Sequence, residues 1–490
     1  MQIAAAGDRA LLITLRGSSS ARLRAAADLA RRIPGVVAAI VGHESIYVIG
    51  TNDADALRTA VEQARESDAG QGTRHRITVS FHEDYALDLP EFLTHVGVTR
   101  DDFLTRVSSI RLSVRYLGFR AGFAYLDGWP AQWAMPRRST SRNRVPGGSF
   151  AIAGAMAGFY PVDSPGGWNI LGRTTAPLWD PTREPPNLFA PGDEVEIDAA
   201  NVILSEAKDP LRKHEGDPSP SPRLGMTAIA DVVTPGQLTT IVGAPDWTRL
   251  EHGLPPGGPF DEEAAAIANA AVGNPPDAPL LECVLVGPKL RTQRRAAFCD
   301  ANLDVRETLD VGRIHGMRGY LAIEGGVDEM RLRYAEAPTV VKKGDVLCSA
   351  AALGLCSAAA LGGVIDRRGR RSHIDRRGRR SYIDRLTIRI MRGPHDAPPL
   401  PEEWEVTPQM NRVGIRLRPL RPIDVKLPAD LPSCGAQFGT LQWHADGTLM
   451  ALGPDHPVTG GYLQPATVIS SERWKLAQLA PGDRVTLVAV

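Results

Sequence analysis

The chain lacks most of the features that mark the common enzyme classes. Its five cysteines (Cys283, Cys299, Cys348, Cys356, Cys434) are scattered and form no CxxC pair. That excludes a disulfide frame or a cysteine zinc site and fits a reducing compartment, the cytoplasm. Neither sign of charge is in excess: Lys+Arg and Asp+Glu stand at 56 each. No net field therefore favours nucleic acid or an anionic membrane, and any bound anion must be held by a local cluster. No basic segment followed by a long apolar run opens the sequence, so no signal peptide is expected. GxxxxGK[ST], a strand-to-helix GxGxxG, GxSxG and HExxH are all missing, which removes the familiar signatures of nucleotide, serine-hydrolase and zinc chemistry.

Aromatic residues are scarce at 6%, whereas glycine (48) and proline (39) are abundant. That mix suits many short strands joined by tight turns. A length of 490 residues exceeds what one core serves and predicts about three or four units. The expected fold class is mainly β with an α+β N-terminal unit. Residues 1–82 read as a ferredoxin-like βαββαβ unit. Its first helix carries Leu23, Ala26, Leu29 and Ile33, a second is capped by Asp53 or Asp55, and HRITVSF (75–81) is the closing strand. Three similar endings follow, LFAPGDEVEI (188–197), VVKKGDVL (340–347) and LAPGDRVTLV (479–488). A Gly-Asp turn feeding an alternating strand suits the last hairpin of a barrel. Three β-barrels are therefore expected, over 83–200, 228–348 and 386–490.

Two segments interrupt them. Residues 201–227 are polar and Pro/Ser-rich, as a linker would be. Residues 349–385 carry tandem repeats, CSAAALGL/CSAAALGG and IDRRGRRSH/IDRRGRRSY, the first pair beginning at Cys348. The Ala/Ser/Gly-rich run would gain little in lipid, and the Arg-rich repeat reads as a solvated insertion. Neither membrane nor nucleic acid is an expected partner.

The densest cationic segment is 116–174, where Arg137, Arg138, Arg142, Arg144 and Arg173 alternate with Gly- and Pro-rich turns. Guanidinium groups beside accessible backbone N–H groups clamp phosphate or carboxylate. The same pattern also suits tight β-turns with solvated arginines, and composition alone leaves both open.

The strings GDRALLI (7–13), GFRAGFAYL (118–126), PRRSTSRNRVPGGSFAIAG (136–154) and YPVDSPGGWNILGRT (160–174) resemble the allophanate-hydrolase subunit 1 family. That family includes the B component of 5-oxoprolinase and a sporulation-kinase inhibitor. VVTPGQLTTI (232–241), HGLPPGGPFDEEAAAIANAAVGNPPDAPLLECVLVGPKL (252–290), GYLAIEGGVD (319–328), VTPQMNRVGIRL (406–417), GTLQWHADGTLMAL (439–452) and VTGGYLQPATVI (458–469) resemble the subunit 2 family. This second family contains the C component of 5-oxoprolinase and biotin-dependent carboxyltransferase relatives. The chain departs from it after GGVD, where only EMRLRYAEAPT (329–339) precedes the GD turn.

The resemblance implies cyclophilin-like β-barrels, one in the first half and two in the second. It implies a B/C fusion of ATP-dependent 5-oxoprolinase, opening 5-oxoproline to L-glutamate with a separate third subunit and ATP, with Mg2+, as co-substrate. A homo-oligomer is compatible with this. Alternatives are an allophanate hydrolase or urea carboxylase-type component, a histidine-kinase inhibitor-like binding protein, or an inactive fusion. The implied phosphate- or substrate-binding residues are Arg137, Arg144, Gly166, Gly167, Arg173, Arg412, Arg416, Thr459, Gly460 and Gly461. Asp261 and Glu282 match the family's acidic motifs and are the catalytic candidates, although Asp261 also precedes EEAAAIANAAV as a helix cap would. His252 and His444 stand beside matched motifs as lone histidines. Trp168, Trp443 and Tyr462 read as packing.

Overall fold

The computed structural model describes residues 1–70, 72–200, 228–328, 334–335, 337–349, 386–421, 423, 428 and 431–490. The linker expected over 201–227 and nearly all of the repeats lie outside the described residues.

The N-terminal unit is an antiparallel sheet of β1 (Gln2–Ala5), β2 (Ala10–Thr14), β3 (Ala38–Val41) and β4 (Ser45–Ile49), in the order β1-β2-β4-β3. Helices α1 (Ser20–Arg31) and α2 (Ala54–Gln63) cover one face. Ser19 caps α1 through Arg22 N–H, and Asp53 caps α2 through Ala56 N–H. Leu23, Ala26, Leu57 and Val61 are fully buried in the shared core. The expected closing strand is displaced. HRITVSF belongs to the following barrel, and the vacant edge beside β2 is taken by β1. The first boundary therefore falls near residue 72, not 82. Alternation alone could not tell one sheet from its neighbour.

HRITVSF lies on β5 (Arg74–Ser80), the first strand of a closed barrel. The others are β6 (Arg111–Leu117), β7 (Ala124–Asp127), β9 (Ser149–Ala153), β10 (Met156–Phe159), β12 (Asn169–Arg173) and β13 (Glu194–Ala200). A ribbon of β8 (Arg142–Val145) and β11 (Ser164–Gly166) stands outside the ladder. Helices α3 (Leu89–Val96) and α4 (Arg100–Val107) close one end, pressing Phe92 and Phe103 onto Trp129, Trp133 and Phe150. The strand after the Gly192-Asp193 turn does not form a hairpin. β13 pairs in parallel with β5 along seven residues and so closes the barrel.

The C-terminal barrel repeats this plan strand for strand. Arg484–Ala489, after the Gly482-Asp483 turn, runs parallel to the first strand, Thr387–Arg392. Its outside ribbon pairs Cys434–Gly435 with Thr459–Gly460, the counterpart of β8 and β11. In all three GD turns the Asp carboxylate accepts the N–H three residues earlier, from Ala190, Lys342 and Ala480. Each turn glycine has φ between 88° and 97°, a conformation that glycine adopts without strain.

The middle unit differs. Over 228–349 the strands form a three-stranded and a six-stranded sheet, not one closed ladder. Val232, Ile241, Leu281, Phe298 and Leu321 fill one core between them. Helix α5 (Glu262–Ala271) packs on the outer face of the larger sheet through Ala264, Ala265 and Ala268. Among the described residues no helix is long and apolar enough to cross a membrane. Among the described residues Cys283, Cys299, Cys348 and Cys434 are buried and form no disulfide.

The two halves meet. The helix-free face of the N-terminal sheet presents Leu12, Ile40, Tyr47 and Ile49 to Leu250, Cys434 and Val458 of the second half. Burying each large apolar side chain contributes about 1.5–3 kcal/mol. Polar contacts fix the register: Gln437 donates to Ala6 O at 2.9 Å, Ser470 N–H to Asp8 at 2.9 Å, and His43 N–H to Ser433 O at 2.7 Å.

Candidate functional site

Three motif-bearing loops, one from each β unit, converge at this junction. The GFRAG loop (118–122) links β6 to β7. Within it Phe119 holds φ at 64°, a conformation costing a bulky residue about 1–3 kcal/mol and concentrated at functional sites. Thr459 of the C-terminal ribbon packs on Gly118. Gly253, which ends the 3-10 turn Trp247–His252, lies against the backbone of Gly118 and Arg120. His252 is not isolated: its Nδ1 is 3.3 Å from Asn187 Nδ2 of the first half, and its ring meets Tyr334 edge-on at 5.0 Å. Tyr334 donates to the Glu184 carboxylate at 2.6 Å.

The first-half motifs gather beside this loop. Phe119, Phe123, Val145, Tyr160 and Trp168 form one aromatic-rich cluster on the outside of the barrel. Trp168 is thus packing, as expected. Tyr116 and Tyr125 stack in it at 4.3 Å. Burial, and then Tyr125, push the Tyr116 phenol pKa well up, against the opposing pull of the Ser433 hydroxyl and of Arg115 and Arg137. Arg137 therefore acts electrostatically on a tyrosine that faces the C-terminal barrel. Its own side chain is exposed.

The remaining arginines divide. Arg138 and Arg142 are both held by Asp88, at 2.8 and 2.7 Å, and Asp88 also accepts Ile170 N–H. Arg144 pairs with Asp163 at 2.6 Å while keeping 72% of its side chain exposed. Arg173 donates to Gly147 O at 3.0 Å, and Gly147 N–H donates to the same Asp163. Burial raises the Asp163 pKa, but Gly147 N–H, Arg144 and Arg173 outweigh it and set it below the usual range. Arg144 and Arg173 thus converge on one carboxylate. Gly166 and Gly167 allow close approach of Tyr160 and Ser141, where a Cβ would meet Tyr160 Oη at 2.3 Å and Ser141 Oγ at 3.0 Å.

In the C-terminal barrel Thr459, Gly460 and Gly461 occupy the position equivalent to β11 and the GGW turn. Gly461 admits Leu431 O, and Thr459 Oγ1 is buried without a hydrogen-bond partner among the described residues. Arg416 bonds Thr448 Oγ1 at 3.0 Å on the wall of a cleft of about 440 Å3 that also includes Met410 and Met450. His444 stacks on Tyr462 at 4.4 Å, and burial together with Arg416 lowers its pKa to about 4. Trp443 is core, whereas Tyr462 is 41% exposed with its ring against His444.

Three expectations need correction. Arg412 is not available as an anion clamp: it binds Asp455 through two nitrogens, Glu282 at 2.8 Å and Gly258 O at 2.7 Å. Glu282 faces out of the middle sheet on the side opposite Leu281 and Cys283. Its oxygens are committed to Arg412, Phe260 N–H and Tyr320 Oη, with Arg318 at 3.4 Å. Burial raises its pKa, but Arg412 and Arg318 reverse the sign and keep it lowered. Asp261 is fully buried and caps α5 through Ala264 N–H. Glu282, through Arg412, ties the middle unit to the C-terminal barrel, and Asp261 holds the start of α5. Neither of these two carboxylates is left for acid–base work. Asp88, Asp163, Asn187 and Glu184 were not singled out from sequence, because lone polar residues 16 to 150 positions from their hydrogen-bond partners carry no local pattern.

The family described as carboxyltransferase domain, subdomain C and D, matches residues 1–189, and subdomain A and B matches 252–314 and 300–489. The B component of 5-oxoprolinase from Escherichia coli O157:H7 is 36% identical over 178 residues, 34% of this chain and 82% of that protein. The C component of 5-oxoprolinase from Escherichia coli K12 is 25% identical over 299 residues, 52% of this chain and 90% of that protein. A putative urea carboxylase of Emericella nidulans is 27% identical over 296 residues, 53% of this chain but only 24% of that protein. The crystal structure of TTHA0988 superimposes with a TM-score of 0.76 at 26% identity, covering 98% of this chain and 99% of that one. The chain belongs to the carboxyltransferase-domain family, with its subdomain C and D half preceding its subdomain A and B half in one polypeptide.

Proposed function

We propose that this chain supplies the B and C parts of an ATP-dependent 5-oxoprolinase, opening 5-oxoproline to L-glutamate with a third subunit. One observation carries the reading: the two halves separately span most of a B component and most of a C component, and their motif loops meet at one junction. A lactam is a poor electrophile. Transfer of the ATP γ-phosphoryl group to its oxygen activates the ring carbon; water adds there, the C–N bond breaks as the nitrogen takes a proton, and the resulting γ-acyl phosphate is hydrolysed by a second water to phosphate and glutamate. Charge grows on phosphoryl oxygens throughout, which fixed cationic and N–H donors stabilise.

Arg137, Arg144 and Arg173, with the GGW turn, are the groups we assign to that task. Arg144 and Arg173 already converge on the anionic Asp163, so their geometry suits an oxyanion that competes for the same donors. Mg2+ travelling on nucleotide phosphates takes only one or two protein carboxylates. The fully committed Asp261 and Glu282 do not fit that role.

The urea carboxylase-type alternative shares the barrel pair, but this chain spans about a quarter of such a relative. Mixing the purified chain with the third subunit separates the two. Phosphate and glutamate released only with both 5-oxoproline and ATP support the proposal. Turnover no greater than that of either component alone overturns it.

A further inference from the structure

The two closed barrels correspond strand for strand, and an outer groove that one of them fills the other leaves open. In the first barrel Tyr125, Gly158 and Ala151 lie side by side across β7, β10 and β9. The rings of Phe123, Tyr125 and Trp168 pack over that row, with centroids 4.8 Å apart for Phe123 and Tyr125 and 5.5 Å for Phe123 and Trp168. A Cβ on Gly158 would meet Phe123 at 3.1 Å and Trp168 at 3.2 Å, so the glycine makes room for the rings. In the C-terminal barrel the same row is Arg416, Met450 and Gln442. The hairpin ends Ala153–Met156 and His444–Thr448 set the correspondence. By it Gly414 stands where Phe123 does, and Tyr462 where Trp168 does.

The equivalent rings are therefore missing, and Tyr462 turns onto His444 instead. What remains is the cleft of about 440 Å3, walled by Met410, Val413 and Met450 and edged by Gln409 and Asn411. Asn411 Oδ1 is used by the N–H groups of Val413 and Gly414, which leaves its Nδ2. Arg416 is the charged side chain on the wall. Its Nη1 donates to Thr448 Oγ1 at 3.0 Å and reaches Asp446 at 3.4 Å. Asp446 is itself mostly exposed and accepts Thr448 N–H and Oγ1–H. Nη2 of Arg416 bonds nothing among the described residues, and Nε is buried without a partner there. His444 adds no charge at neutral pH, since burial and Arg416 lower its pKa to about 4. The cleft thus offers apolar walls, two amides and one open guanidinium nitrogen.

We infer that this cleft binds a purine nucleotide, with the base between Met410, Val413 and Met450 and the first phosphate on Arg416 Nη2. The first barrel shows that planar rings fit this groove, and thioether sulfurs favour aromatic contact. Gln409 and Asn411 Nδ2 are left for the polar edge of the base, and a guanidinium nitrogen suits a phosphate oxygen. The choice of adenine rests on the reading above, whose nucleotide is ATP. The nucleotide class follows from the cleft itself.

The test is calorimetric titration of the intact chain, without the third subunit, using AMP, adenosine and ribose 5-phosphate. AMP should bind saturably and adenosine about tenfold or more weakly, the usual consequence of losing a charged hydrogen bond. Ribose 5-phosphate lacks the base and should bind more weakly than AMP. Arg416→Gln should bring AMP down to the affinity of adenosine and leave adenosine unchanged. Val413→Trp places a ring in the groove from an exposed position and should remove both, so the test stands whether or not Arg416→Gln folds. Absence of saturable AMP binding, ribose 5-phosphate binding as tightly as AMP, or AMP affinity unchanged in Val413→Trp overturns the site. Turnover with the third subunit but without such binding sinks this inference alone. Binding as described without turnover sinks the functional proposal and leaves the cleft assigned.

Discussion

Gly118 of the first half and Thr459 of the second touch so closely that a Cβ on Gly118 would lie 1.8 Å from Thr459 Oγ1 and 2.8 Å from its Cβ. Gly118 is not among the positive-φ glycines, so its backbone tolerates alanine and the clash is purely steric. Gly118→Ala should lower stability by about 1–3 kcal/mol and abolish coupled turnover by prying the motif loops apart. Thr459→Ala in the same chain removes the nearest atom and should restore part of both. Thermal melts and the coupled assay on the single and double variants check this.

Cutting the folded chain at a protease site introduced within residues 201–227 should leave the halves together. The apolar face around Tyr47 and the Gln437–Ala6 and Asp8–Ser470 bonds do not depend on a covalent link. Co-elution on gel filtration is the expected result, and separate peaks refute it.

Asp261→Asn distinguishes a cap from a catalyst. Asparagine caps helices as well as aspartate does, so melting temperature and turnover should both stay near wild type. A large fall in turnover with unchanged melting would restore Asp261 to the chemistry. Glu282→Gln, by contrast, leaves Arg412 and Arg318 short of their shared carboxylate and should cost on the order of 3–5 kcal/mol, readable in denaturant melts.

Arg144→Ala removes an exposed pair worth less than about 1 kcal/mol, so folding should hardly change. If Arg144 serves the phosphoryl group, kcat/KM for ATP falls at unchanged melting temperature. Unchanged kinetics would confine it to the Asp163 turn.

His456 is 2% exposed, and burial lowers its pKa from 6.5 to about 4. Between those values the unfolded chain binds a proton that the folded chain refuses. Stability should therefore fall as pH drops from about 6.5 towards 4, by on the order of 2–3 kcal/mol for this residue. Denaturant melts of the wild type and His456→Gln across that range should differ in slope, and parallel slopes would exclude the effect.

Much of this was legible in the sequence because it is local. Helical spacing marked Leu23 and Leu57, the GD dipeptides marked the strands that complete each unit, and Asp261 stood where a cap belongs. What sequence hid is the pairing of distant segments. Nothing in HRITVSF says that it joins β13 and not β2. Nothing around Arg412 announces that Glu282, 130 residues earlier, consumes its donors. The residues proposed for anion binding sit in a cationic stretch of sequence, but which arginine is neutralised, as Arg142 is by Asp88, and which stays accessible depends on carboxylates brought in by the fold.

The parallel seam between first and last strands has a kinetic consequence. Glu194 bonds Arg74 from 120 residues away, and no shorter pairing closes the first barrel. Until that late segment arrives, β5 and β6 each carry an unpaired edge. Such long-range zippering is slow and leaves edges open to intermolecular association, so refolding yield should fall steeply with protein concentration.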